Sequence, residues 1–184
     1  MGETVKKLSE HRRNQILDAG LSMALKHGLR GSSMEALARE AGIAKPTLYG
    51  YFPNKDALFV AVLQRILEQL EHQVEKSLNG KGDLVFRISS ALVSKHKLVF
   101  SLLEGSPHRE EIYSEKSRIA AREIEKFEDW LQMKISLALK ESGRKWPQNY
   151  AQLLIACAEG IAQKATSVSQ IGPAIRLMVE KFLA

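Results

Sequence analysis

The sequence predicts an all-α protein, and three observations support this prediction. Five prolines, at positions 46, 53, 107, 147 and 173, fall at spacings that suit helix boundaries. No run of strand length alternates apolar and polar residues, and no hairpin turn joins two β-branched runs. Apolar residues instead recur at intervals of three and four, as in helices that bury one face.

Capping residues order the helices along the chain. Ser9 is the predicted N-cap of a first helix that ends before Gly28, Ser33 precedes a short second helix, and Asn54 precedes a long fourth one. The predicted helices, about nine in all, span residues 9–27, 34–41, 45–52, 55–78, 84–93, 95–104, 109–142, 148–169 and 173–183, with Pro173 in the first turn of the last.

Length and composition exclude several classes of protein. The 184 residues carry 27 Lys+Arg and 21 Asp+Glu, a net charge of +6 that makes polyanions plausible partners without selecting one. A single cysteine, Cys157, excludes a disulfide-stapled scaffold. The longest apolar run, from Ala57 to Leu63, is far below the roughly 20 residues of a membrane span. We therefore expect a soluble, cytoplasmic protein that does not insert into membranes.

Residues 33–52 have the pattern of a helix-turn-helix. A short helix stops at Gly42 and the next begins three residues later, with the small residues Ala38 and Ala41 at the crossing. The second helix then exposes Lys45 and its polar neighbours, as a recognition helix in a major groove does. An ordinary helical hairpin packed in a bundle shows the same spacing, so spacing alone leaves both alternatives open.

The run Ala41–Leu58 (AGIAKPTLYGYFPNKDAL) closely resembles the DNA-binding signature of TetR-family transcriptional regulators. The upstream stretches Ile16–Leu21 and Met34–Ala38 fit the same family in order and spacing. The resemblance implies a three-helix DNA-binding domain over residues 1–56 and a helical ligand-binding and dimerisation domain over residues 57–184. It also implies a homodimeric repressor that a small-molecule effector releases from DNA. A C₂ dimer would prefer a palindromic operator.

The resemblance assigns DNA contacts to nine residues of this chain: Arg12, Arg13, Ser33, Lys45, Pro46, Thr47, Tyr49, Gly50 and Lys55. Lys45 is expected to read base edges, whereas Tyr49 and Lys55 are expected to hold phosphates. Pro46 and Gly50 depart from many relatives, which place a small residue and a histidine there. The operator sequence is therefore not transferable from a relative. Tyr51 is expected to pack beneath the recognition helix.

Residues 57–184 supply the predicted ligand and partner sites. The expected pocket residues are Phe86, His96, Phe100, Phe127, Trp130 and Met133, although any aromatic residue here is more often core than ligand wall. The expected dimer interface, placed mainly by the resemblance, comprises Leu154, Cys157, Ala158 and Ile161 and then Ile175, Met178, Val179 and Phe182. The alternative is that both helices bury these residues in their own domain.

Catalytic motifs are missing from the sequence. The five histidines form no His-x-x-x-His pair, Cys157 has no cysteine partner, and no glycine-rich phosphate loop or Gly-x-Ser-x-Gly elbow occurs. We expect no enzyme activity, no metal and no cofactor. The alternative function is a helical ligand-binding or interaction protein without specific DNA binding, which holds if Pro46 and Gly50 disable the recognition helix.

Overall fold

A computed structural model describes the backbone of residues 2–184 and the side chains of residues 8–112 and 118–184. The described backbone contains helices and no strand, which confirms the predicted fold class. The helices are α1 (Gly2–His27), α2 (Met34–Glu40), α3 (Lys45–Tyr51), α4 (Lys55–Leu78), α5 (Leu84–Leu103), α6 (Arg109–Glu141), α7 (Pro147–Lys164) and α8 (Val168–Leu183). Because non-helical dihedral angles at Ala120 (φ −135°, ψ 31°) interrupt α6, the described chain has nine helical segments.

Two of the predicted N-caps are in place. The Ser33 hydroxyl accepts a hydrogen bond from the Ala36 N–H at 3.1 Å, and the Asn54 side chain accepts one from the Ala57 N–H at 2.8 Å. Each bond satisfies a donor that the first turn of a helix leaves free. The sequence therefore predicts where the second and fourth helices begin.

Other predicted boundaries are wrong. Ser9 is not an N-cap, because α1 already begins at Gly2. The predicted break at Ser94 does not occur, since its hydroxyl bonds the Ala91 carbonyl at 2.9 Å and no proline or glycine stops α5 there. Pro173 lies in the second turn of α8, which begins after Ser167. A proline excludes only one helical N–H, so a helix can start several residues ahead of it.

The contacts between residues divide the chain into two compact units. The head unit comprises Met1–Ile66 and Gly105–Arg122, and the body unit comprises Leu67–Glu104 and Glu123–Ala184. α4 and α6 each contribute one part to each unit. The division by packing therefore differs from the functional division at residue 56, which stays a prediction.

The core of the head unit comes from four helices. Leu17 of α1, Leu37 of α2, Leu48 of α3 and Leu58 of α4 are buried together, each with at most 1% of its surface exposed. This apolar cluster fixes the face that α3 turns inward and, by exclusion, the face that it turns outward. Within the described residues, no helix is long and apolar enough to cross a bilayer.

Candidate nucleic-acid interface

The turn between α2 and α3 depends on Gly42. Its φ of +63° lies in the left-handed region, which favours glycine. The Gly42 N–H donates to the Arg39 carbonyl and the Ile43 N–H to the Ala38 carbonyl, both at 3.0 Å, which closes the end of α2. The Gln15 amide donates to the Ala41 carbonyl at 2.8 Å and ties this end to α1. The turn thus sets the position of α3 in the head unit.

One face of α3 is exposed. Leu48 is fully buried, while Tyr49 is 46% exposed. Five residues assigned to DNA contact lie at the surface: Lys45, Pro46, Thr47, Tyr49 and Gly50. Pro46 lies in the first turn, where the missing N–H costs no helical hydrogen bond. α3 therefore presents a short polar surface of the kind that enters a major groove.

Lys45 has an acidic neighbour that sequence reasoning missed. Its ammonium Nζ lies 3.7 Å from Oε1 of Glu35, in the first turn of α2, and both side chains are at least half exposed. Glu35 is ten positions from Lys45, and no sequence spacing rule connects residues across a turn of this kind. The carboxylate adds an acceptor to a surface that was expected to carry only donors.

The other predicted contacts surround α3 to different degrees. Arg12, Arg13 and Ser33 are exposed. The Arg13 guanidinium lies 5.8 Å from the centre of the Phe52 ring, so α1 places a cation next to the end of α3. Tyr51 is half-buried against the core of the head unit, and its hydroxyl lies 3.5 Å from the Ser9 carbonyl. This position agrees with packing beneath the recognition helix.

Lys55 has internal partners. Its ammonium donates to the carbonyls of Leu29 at 3.2 Å, Ser32 at 3.4 Å and Arg30 at 3.5 Å. These three bonds use the donors that the resemblance assigned to a phosphate. Lys55 therefore holds the loop between α1 and α2 in this structure, and a phosphate contact would have to replace or share these bonds.

The same loop is held from its other side by α6. The Arg30 N–H donates to Oε1 of Glu111 at 2.8 Å, and the Ser106 hydroxyl donates to the Leu25 carbonyl at 2.8 Å. Nδ1 of His108 lies 3.3 Å from the other Glu111 oxygen. Residues 28–32 are thus fixed by side chains from both α4 and the start of α6, directly ahead of the helix-turn-helix.

In the body unit, four of the eight predicted interface residues are fully buried within the chain: Leu154, Ala158, Ile175 and Val179. The other four are half-buried: Cys157, Ile161, Met178 and Phe182. Larger exposed areas belong to Leu153 of α7, at 41%, and Leu177 of α8, at 57%. The buried four pack the helices of the body unit, so a partner would meet the opposite, outward face.

The six predicted pocket residues do not form one site. Phe100, Phe127 and His96 are buried, and the Phe127 and Trp130 rings stack at 5.7 Å. In contrast, Phe86 and Met133 are more than half exposed. An open groove of about 320 Å³ in the body unit is lined by Trp146, Asn149, Tyr150 and Leu153, and by none of the six.

A buried polar cluster lies between α5 and α7. Nζ of Lys95 is 3.3 Å and Nδ1 of His96 is 3.9 Å from Oε2 of Glu159, while the buried Nε2 of His96 has no hydrogen-bond partner. Burial, reinforced by Lys95 and opposed by Glu159, lowers the pKa of His96 to about 3. Lys95 and Glu159 were not predicted, although a lysine three and four positions after Ala91 and Leu92 was a visible signal of burial. Among the described residues, no three His, Cys, Asp or Glu side chains are grouped to hold a metal.

Comparison with known proteins gives the same reading of the head unit. Residues 16–62 match the sequence profile of the family described as bacterial regulatory proteins, tetR family. The transcriptional repressor KstR of Mycolicibacterium smegmatis is 39% identical over 71 residues, which cover 39% of this chain and 35% of that protein. The first three curated relatives are matched over only 35% to 45% of their length.

Solved structures extend the likeness in fold to nearly the whole chain. A transcriptional regulator from Rhodococcus sp. Rha1 superposes with a TM-score of 0.75 at 18% identity, over 93% of this chain and 95% of that one. FadR from Bacillus subtilis in complex with stearoyl-CoA superposes with a TM-score of 0.67 at 18% identity, over 90% and 96%. The matched proteins are transcriptional regulators, not enzymes. Through residues 16–62, the chain belongs to the TetR family of bacterial regulatory proteins.

Proposed function

We propose that this chain is a homodimeric repressor that binds a palindromic operator and leaves it when a small-molecule effector binds. The observation that carries the proposal is the exposed face of α3, where Lys45, Thr47 and Tyr49 lie together above the buried Leu48. That face lies within the family match over residues 16–62. As a DNA-binding protein of a bacterial family, the chain would act in the cytoplasm.

Dimerisation is proposed through the outward faces of α7 and α8. Leu153 and Leu177 expose apolar surface there, and Ala156 and Gly160 continue the exposed face of α7 with small residues that permit close helix approach. A C₂ dimer would bring two α3 helices to major grooves about 34–36 Å apart, so that each reads one half of an inverted repeat.

The effector is proposed to bind in the body unit. FadR of Bacillus subtilis, which shares this fold at 18% identity, was solved with stearoyl-CoA. In this chain the unpartnered Nε2 of His96 lies next to the Lys95–Glu159 ion pair. A buried polar atom without a partner is costly, so we favour an effector whose polar group bonds this cluster and whose apolar part packs on Phe100.

Fluorescence anisotropy on operator and scrambled duplexes tests the DNA-binding proposal. Tyr49→Ala and Lys55→Ala should weaken binding to both duplexes, because phosphate contacts carry no sequence information. Lys45→Ala should relax sequence preference by about 1–3 kcal/mol for each lost base contact. Unchanged affinity of all three variants for both duplexes would contradict the proposal.

A further inference from the structure

The two carboxylates of α2 have different partners. Oε1 of Glu40 accepts from the Ser22 hydroxyl at 2.8 Å and from Lys26 at 3.5 Å, so it faces α1. Oε1 of Glu35 lies 3.7 Å from Nζ of Lys45, the first residue of α3. Glu35 is therefore the acidic group of α2 that borders the exposed face of the proposed recognition helix.

A carboxylate at this position opposes general binding to DNA. Duplex DNA carries one negative charge for about every 1.7 Å of its axis, so an acidic side chain at its surface lowers affinity for every sequence. The Glu35–Lys45 pair also contributes little to folding, since exposed ion pairs contribute about 0–1 kcal/mol. Neither general affinity nor stability accounts for Glu35, whereas a contact with one particular base does.

The pair presents a donor beside an acceptor. An ammonium only donates and a carboxylate only accepts. In the major groove, a guanine–cytosine pair offers the acceptors N7 and O6 on guanine next to the N4 amino donor on cytosine. We propose that Glu35 and Lys45 together read one guanine–cytosine pair, with Lys45 donating to guanine and Glu35 accepting from cytosine N4. This inference rests on the proposed DNA-binding function.

An adenine–thymine pair fits the two side chains less well. Adenine offers one acceptor, N7, beside its N6 amino donor, so Lys45 loses one of the two acceptors that guanine provides. In a cytosine–guanine pair of reversed orientation, the donor and the acceptors exchange places, so each side chain meets a group of its own kind. The pair should therefore select both the base and the strand that carries it.

The test uses the operator position at which Lys45→Ala relaxes sequence preference. The full-length protein is titrated by anisotropy on four duplexes that differ only in the base pair at this position. Wild type should prefer guanine–cytosine, in one orientation, by roughly 5- to 150-fold over the other pairs. Glu35→Met, which keeps a helix former but removes charge and acceptor, should lose most of this preference and bind a scrambled duplex at least as tightly. Glu40→Met makes the same change at the α1 side and should keep the preference.

Three results would overturn the inference. Glu35→Met could retain the wild-type preference, change affinity for all four duplexes by one common factor, or relax a different position from Lys45→Ala. A wild-type preference for adenine–thymine at this position would overturn it as well. Failure of the proposed function is distinguishable, because wild type would then discriminate between no duplexes at all.

Discussion

Gly28 closes α1 in a conformation that other residues adopt only with strain. Its φ is +72°, and a Cβ added there would lie 2.2 Å from Oε2 of Glu111 and 2.9 Å from Nδ1 of His108. The backbone is thus shaped to admit the Glu111 carboxylate, which accepts from the Arg30 N–H. A single side chain at position 28 would force apart the contact that fixes the loop ahead of the helix-turn-helix.

Gly28→Ala should therefore lower the free energy of unfolding by about 1–3 kcal/mol. Gly50→Ala is the matched control, because Gly50 lies inside α3 and an added Cβ meets nothing within 4 Å. Replacing a helical glycine by alanine should raise stability by about 0.5–1 kcal/mol. Urea denaturation of both variants measures the difference, and equal effects would contradict the role given to Gly28.

Lys55 is expected to act on stability as well as on DNA. Lys55→Met removes three hydrogen bonds to the carbonyls of residues 29, 30 and 32 and should lower the free energy of unfolding by about 1–3 kcal/mol. Lys45→Met, at an exposed position, should stay within about 0.5 kcal/mol of wild type. If denaturation shows no loss for Lys55→Met, the three internal bonds do not stabilise the head unit.

His96 makes stability depend on pH. Its folded-state pKa of about 3 is below the ordinary 6.5, so the unfolded chain binds a proton that the folded chain does not. This contribution is present above pH 6.5 and is lost as the pH falls, by about 2 kcal/mol between pH 7 and pH 5. His96→Leu cannot titrate and should lose that much less over the same interval in urea denaturation. Identical pH dependence in the two proteins would show that His96 is not buried in its neutral form.

At the scale of helices, local signals and packing signals differ in what they predict. Ser33, Asn54 and Gly42 act on their nearest turns, so sequence alone places α2, the turn to α3, and the start of α4. The interface residues show the limit. Three- and four-residue spacing identifies Leu154 and Ile175 as members of an apolar stripe but does not say whether that stripe faces the same chain or a partner. Packing of the body unit buries both, and Leu177 on the outward face was missed.

The outward face of α8 yields a prediction about oligomeric state. Leu177→Glu places a charge on surface that is 57% exposed in one chain, so the variant should fold but dissociate into monomers. Ile175→Glu, two residues away, buries the charge in the body unit and should unfold it. Light scattering and circular dichroism separate the two effects. A Leu177→Glu protein that remains a dimer at micromolar concentration would exclude this face as the interface.

At the scale of the whole molecule, the net charge of +6 has little predictive value by itself. Placement carries the information: cations at positions 12, 13 and 45 are exposed in the head unit, whereas Lys55 and Lys95 are used internally. The family signature covers only the region around α3, so the sequence locates the DNA-binding surface well. The effector site depends on contacts between distant helices such as α5 and α7, and no motif in the sequence encodes them.

Selection of bound sequences from a random duplex pool tests the central claim most directly. The account predicts enrichment of an inverted repeat whose half-sites are one helical turn, about 10–10.5 base pairs, or a multiple of it apart. Affinity for the enriched duplex should fall steeply with salt, since several phosphates are neutralised on binding. A pool that shows no enriched sequence, with equal and weak retention of every duplex, would contradict the claim that this chain is a sequence-specific DNA-binding regulator.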